Sequence, residues 1–254
     1  LKTSLDDKIA FIDRLAGKLN RKRPLPKNSL KSLRDKLALE WTYHSNGIEG
    51  NTLTLLETKV VLEGITVGGR TTQEHLEARN HAEAIVFLED IVEVGELLSQ
   101  WQIKNIHGQV LKGIDDAEAG RYRSENVVIA GASTTPPHFL HLDEEMAALI
   151  SWYSFSRLHP VRRAAELHTR FVEIHPFIDG NGRTGRLLMN FVLMKHSYPP
   201  AIILKEDRLR YYEALDDACS TRQYDKITDL IAEACQRSLE TYLSVLEPDA
   251  GHQP

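Results

Sequence analysis

Apolar residues return every three or four positions along almost the whole chain, and that period leaves helices as the regular element able to bury them. Leu5, Ile9, Ile12, Leu15 and Leu19 form one such stripe behind Ser4, a candidate N-cap, and Leu30, Leu33, Leu37 and Trp41 form another behind Asn28-Ser29. Between them RKRPLPK, residues 21–27, holds two prolines that forbid a continuous helix, and its charges read as a solvated linker. Thr54 with Glu57, Thr71 with Glu74 and Ser99 with Gln102 have capping-box spacing and predict helices over 55–63, 72–93 and 100–112. Asp143 and Pro160 predict further starts for 144–156 and 161–174, and periodicity predicts 183–197, 208–219 and 225–246. Strand signals are confined to ENVVIAGAS, residues 125–133, a short β-branched run ended by Gly131 and followed by Thr134-Thr135-Pro136-Pro137. The expected class is all-α, a helical bundle with a small β-hairpin flap.

The balance of residue types narrows the function classes. With 42% hydrophobic and 26% charged residues the chain is neither disordered nor, lacking a long apolar run, membrane-spanning. Lys+Arg number 31 against 36 Asp+Glu, a net charge of −5, which argues against a general electrostatic grip on nucleic acid. Cys219 and Cys235 are too few for a disulfide framework and too far apart for a C-x-x-C pair, which fits a reducing compartment, so a cytoplasmic location is expected. Leu1 and not Met opens the chain, which leaves an upstream targeting or anchoring segment open.

One stretch carries chemistry: HPFIDGNGRTGR, residues 175–186. Gly180, Gly182 and Gly185 let backbone N–H groups approach a ligand, and the helix that follows turns its unsatisfied first-turn donors to the same place, which makes an anion cradle. Arg183 and Arg186 are three apart and can fork onto phosphate oxygens. Asp179 offers a hard oxygen ligand that suits Mg²⁺ on phosphates, and His175 can accept a proton near neutral pH. Phosphoryl or nucleotidyl transfer is the reading. Gly180-x-Gly182-x-x-Gly185 also matches the dinucleotide fingerprint, but that motif follows a strand, and AAELHTRFVEI upstream is helical. No second His stands at zinc-ligand spacing. A plain glycine-rich helix cap is the simplest alternative, outweighed by the density of His, Asp, Asn and Arg in twelve residues. Phe171, Phe177, Leu187, Leu188 and Phe191 read as core residues that anchor the loop.

These residues resemble the Fic family signature H-P-F-x-[DE]-G-N-G-R-x-x-R, matched at every fixed position. GRYRSENVVIAG with the following PPH resembles the family's flap, RLRYYEALDDA its adenine-side helix, and SNGIEGN, residues 45–51, its inhibitory pattern [ST]-x-x-x-E-[GN]. The chain is therefore similar to the class whose inhibitory helix precedes its own core, as in the animal endoplasmic-reticulum members, although no tetratricopeptide-type repeat stands before the core. The resemblance implies an N-terminal helical region over 1–96, a Fic core over 97–235 and a helix end and tail over 236–254.

It also implies transfer of AMP from ATP to a Ser, Thr or Tyr hydroxyl of a protein target, the enzyme itself included. His175 would be the general base and Asp179 the Mg²⁺ ligand. Gly180, Asn181, Gly182, Arg183, Thr184, Gly185 and Arg186 would bind ATP phosphates, with Asn181 at the α-phosphate. Tyr211 and Tyr212 would lie on the adenosine side, where Cys219 replaces the Asn of relatives. Ile129, Ala130, Gly131 and Ala132 would dock the target by strand addition. Relatives that act as kinases carry Lys at the place of Gly182, so AMP transfer is implied in preference to phosphorylation. Glu49, sharing a helix face with Ser45, would hold Arg186 and inhibit the enzyme. Relatives often dimerise through the core, so a homodimer is one arrangement the resemblance allows. Two other functions stay open: removal of AMP with Glu49 aligning a water, and a non-catalytic nucleotide sensor.

Overall fold

The structure is a computed structural model that describes residues 4–246, so Leu1 and the tail beyond 246 in the expected 236–254 segment lie outside the described residues. Ten α-helices follow in chain order: α1 (Leu5–Arg21), α2 (Lys27–Ile48), α3 (Leu55–Leu62), α4 (Thr72–Val94), α5 (Gln100–Leu111), α6 (Leu142–Phe155), α7 (Pro160–Ile174), α8 (Asn181–Lys195), α9 (Arg208–Thr221) and α10 (Asp225–Leu246). Among the described residues no helix is long and apolar enough to cross a membrane.

Local chemistry sets most boundaries. Ser4, Thr54 and Thr71 each accept a hydrogen bond from the backbone N–H of the residue three ahead, whose carboxylate in turn accepts one from the cap backbone N–H. At Ser99 the Gln102 N–H donates to the hydroxyl as in the other caps, but the Gln102 side-chain oxygen accepts from that hydroxyl and not from the Ser99 backbone N–H, while its amide N–H donates to Glu96 at 2.8 Å. Two starts differ from expectation. Helix α2 begins at Lys27 behind Pro26, whose fixed φ already leads into the helix, and not at Asn28-Ser29. Helix α6 begins at Leu142, which leaves Asp143 inside the first turn with Glu144 and Glu145, where their charges face the positive end of the helix dipole.

Helix α8 lies at the centre: every residue from Arg183 to Leu193 is buried, against α7, α4, α5 and α2. Phe171, Phe177, Leu187, Leu188 and Phe191 are all fully buried in one contiguous core, as their apolarity predicts. That core extends to the N-terminal helix, since α1 packs along α10 and buries Ile12 and Leu19. Replacing Ile12, which has no solvent exposure, by Ala should cost about 2–5 kcal/mol in urea unfolding. A loss under about 1 kcal/mol would mean that α1 rides on the bundle without stabilising it.

The β-hairpin flap is not formed. Among the described residues there is no strand, and residues 122–138 run as a loop that turns at Gly131, with Ala132 N–H bonded to Ile129 C=O at 3.2 Å. Pro136 and Pro137 lack donors for a ladder, and a side chain bridges the two arms instead. The Arg123 guanidinium donates to Glu125 C=O on one arm at 2.8 Å and to Pro137 C=O on the other at 2.6 Å. Val128, 88% exposed, is left facing solvent.

Candidate active site

Helix α7 ends at His175, which takes a left-handed conformation (φ 49°, ψ 58°) that turns the chain out of the helix. A non-glycine residue there costs roughly 1–3 kcal/mol, so the neighbouring structure has to hold it. The loop returns through Gly180 (φ 75°), the N-cap of α8. Asn181 staples the loop from inside: its side-chain amide donates to Phe177 C=O at 2.8 Å and accepts from Phe177 N–H at 3.0 Å. One amide N–H and the amide oxygen are thus committed to the loop, and the second N–H of Nδ2 makes no protein hydrogen bond. The first-turn N–H groups of α8 lack intrahelical acceptors and point outward from the loop, as an anion cradle requires.

A second strut is His107 of α5. It is fully buried, stacks on Phe177 with ring centroids 3.6 Å apart, accepts from Gly120 N–H at 2.9 Å and donates to Asp179 C=O at 2.9 Å. Burial pushes its pKa down to about 4, so it is neutral with the proton on Nε2. Periodicity places His107 on the apolar stripe of α5 with Ile103 and Val110, and nothing local marks its role.

In front of the loop opens a cavity of about 410 Å³. It is lined by Glu49, His175, Gly182, Arg186, both Tyr211 and Tyr212, the flap residues Ile129 to Ala132, and Cys219. The flap tip is tied over it, Ser133 N–H donating to Asp216 at 2.7 Å, with a second bond from the Ser133 hydroxyl. His175 is half-buried. Its Nδ1 lies 3.2 Å from Val172 C=O, which takes the Nδ1 proton and leaves Nε2 as the free lone pair. Desolvation lowers the imidazole pKa from its ordinary value, and the Arg123 charge adds to this, against the opposing Val172 bond and the Glu49 and Asp179 charges.

The two arginines diverge. Arg186 is 2% exposed on the cavity floor. It donates from Nη2 to Glu49 Oε1 at 2.7 Å and to Ser45 C=O at 2.8 Å, from Nε to Ser45 Oγ at 3.0 Å, and from Nη1 to the Tyr211 hydroxyl at 3.4 Å. Burial works against its charge, yet Glu49 and Tyr211 hold its pKa above the ordinary value. Glu49 reaches it from the C-cap of α2, where Gly50 (φ 101°) ends the helix. Gly182 makes that approach feasible: a Cβ there would stand 2.2 Å from Glu49 Oε1. Arg183 turns away, buried between Asp179, which accepts from Nη2 at 3.1 Å, and Glu77, whose carboxylate is 3.7 Å from Nη1. Its Nε and Nη1 make no hydrogen bond.

The remaining expected residues separate by environment. Thr184 is fully buried and its hydroxyl makes no hydrogen bond. Gly185 is a packing glycine, since a Cβ there would stand 2.8 Å from His168 Nδ1 on α7. Tyr211 is buried with its hydroxyl 2.7 Å from His168 Nε2, whereas Tyr212 is 37% exposed and donates to Ile48 C=O at 3.2 Å. Asp179 stands at the rim, its side chain 61% exposed. It is a lone carboxylate: no cluster of three His, Cys, Asp or Glu occurs among the described residues, so any cation there would draw its other ligands from a bound polyphosphate and water.

Residues 97–193 match the sequence model of the Fic/DOC family. A protein adenylyltransferase Fic from Nematostella vectensis is 35% identical over 241 residues, 92% of this chain and 56% of its own length. One from Culex quinquefasciatus is 36% identical over 84% of this chain and 43% of its own. The chain thus spans about half the length of the curated relatives it matches. Among solved structures, Fic-1 (aa134 - 508) of C. elegans superposes with a TM-score of 0.87 at 28% identity, covering 95% of this chain and 72% of that one. A Fic domain containing signaling protein from Bacteroides thetaiotaomicron does so with 0.84 at 29% identity, over 96% and 99%. With its motif loop between two buried helices and these relatives on both comparisons, this chain belongs to the Fic/DOC family.

Proposed function

We propose that this protein transfers AMP from ATP to a hydroxyl of a protein target, and that Glu49 restrains it. The observation that carries the reading is the convergence on one cavity of an imidazole with a free Nε2, an uncovered helix N-terminus and a buried arginine. His175 takes the proton of the incoming hydroxyl as its oxygen bonds to the α-phosphorus, and the bond to the leaving pyrophosphate breaks. The first-turn N–H groups of α8 stabilise charge on the α-phosphate oxygens, and Arg186 holds the terminal phosphates once Glu49 lets it go. Tyr212 and Cys219 lie where the cavity would take the nucleoside. The donor set fits Mg²⁺ bound by the exposed Asp179 carboxylate, which would neutralise phosphate charge when ATP is present. The flap, tied open-edged over the cavity through Ser133, would align the target backbone.

Glu49 also faces the cavity beside His175, which favours a second reading at the same site, hydrolytic removal of AMP with Glu49 aligning the water. Label separates these. The protein and its Glu49→Gly variant, given α-labelled or γ-labelled ATP, should place label on protein from the α position only. Label from γ alone would mean kinase chemistry, and no label with ATP still bound would leave a nucleotide sensor. Release of AMP from pre-modified protein by the unaltered chain, but not by the variant, would mark the reverse reaction.

A further inference from the structure

Arg123 is 2% exposed, yet each of its three guanidinium nitrogens donates to a main-chain carbonyl and none to a carboxylate. A buried cation spent on neutral acceptors is costly unless its geometry is needed, because the charge is not compensated. Desolvation accordingly lowers its pKa. What it joins is specific. Nε donates to the C=O of His175 itself at 2.9 Å, and the Arg123 main-chain N–H donates to Pro176 C=O at 2.9 Å. Nη1 and Nη2 bridge the flap arms at Glu125 and Pro137. A single side chain thereby ties the base of the flap to the left-handed residue that carries the imidazole.

We infer that Arg123 is a positioning residue that couples the target-docking flap to the orientation of the His175 imidazole. This inference rests on the reading of His175 as the base. The carbonyl of His175 can rotate only with its φ and ψ, and those angles aim the side chain, so the guanidinium fork fixes where Nε2 points relative to a hydroxyl carried by the flap. Arg123 lies outside the cavity lining, and neither Arg186 nor the α8 N-terminus depends on it. Its loss should therefore spare nucleotide binding and impair the transfer step. Lysine keeps the charge but gathers its three donors on one nitrogen, which cannot span three carbonyls set in different directions.

The test is Arg123→Lys in the Glu49→Gly background, with Arg123→Gln alongside. Transfer of label to protein should fall about 100-fold in kcat, as expected when a reacting group is misplaced by an ångström, with KM for ATP and the dissociation constant of a non-hydrolysable ATP analogue within twofold. The Cε1–Hε1 NMR signal of His175 should shift or broaden while those of His81 and His168, buried elsewhere in the bundle, stay put. A kcat within threefold of the parent overturns the inference. So does a parallel loss of ATP affinity, or movement of all the histidine signals together, since either describes general loosening of the fold. If the Glu49→Gly parent itself transfers no label, the proposed activity fails, and the NMR arm still decides the coupling: an unmoved His175 signal overturns it.

Discussion

Replacing Glu49 by Gly should raise self-modification by α-labelled ATP about 10- to 100-fold at saturating nucleotide, whereas Arg186→Ala should be inactive whether or not Glu49 is present. Arg186 explains both results. It has one guanidinium, and Glu49, Ser45 and Tyr211 already occupy it in a buried setting, so a γ-phosphate can take the Nη2 face only if the Glu49 carboxylate leaves. ATP that binds with Glu49 in place would sit with its phosphates displaced, and a misplacement of about 1 Å at the reacting atom is worth a factor of about 100. The same contact has a thermal signature. Without nucleotide, Glu49→Gly leaves Arg186 with hydroxyl and carbonyl partners and no counter-charge, which should lower the melting temperature; ATP should then stabilise the variant more than the parent. Parent and variant with equal rates at saturating ATP would remove the inhibitory role of Glu49 and leave the transfer chemistry untouched.

His175→Ala should abolish transfer by at least about 100-fold with ATP affinity retained, because the imidazole acts on the incoming hydroxyl and the phosphates are held elsewhere. More than about a tenth of the activity surviving would rule out a general base at this position. The pH profile provides an independent check. Burial, with Arg123 nearby, lowers the His175 pKa below its ordinary value of 6.5, and the base works only when neutral. The acid limb of kcat should therefore have its midpoint below 6.5. Removing the Glu49 charge removes an influence that raises this pKa, so the acid limb of Glu49→Gly should lie at still lower pH. An acid limb with its midpoint at or above 6.5 would place the titrating group elsewhere.

Much of the architecture was legible residue by residue because it is governed by neighbours within four positions. The apolar period of α1, the reciprocal caps at Thr54 and Thr71 and Pro160 at the first turn of α7 all act locally, and the helices start there. Glu49 with Ser45 was legible for the same reason: four positions apart at a helix end, they share a face and meet Arg186 together. Local logic misled where a distant partner took over. The run at 125–133 reads as strand, yet no second strand pairs with it, and Arg123 closes the loop in place of a ladder. Arg183 and Arg186 share a turn, yet Glu77 of α4 and Asp179 draw the first aside while Glu49 of α2 takes the second.

By itself, then, the sequence determined the helices, most of their caps, the buried phenylalanines and the loop that presents a base, a carboxylate and a helix N-terminus. Those features depend on period, propensity and spacing along one segment. Only the tertiary structure decided which polar groups face the cavity. The Asn181 side chain ties into the loop at Phe177, Tyr211 is buried against His168 while Tyr212 reaches Ile48, and His107 and Arg123 hold the motif from behind. Several of these bonds join residues 43 to 164 positions apart, and a buried donor takes whatever acceptor packing brings within 3 Å, which no pattern along the chain encodes.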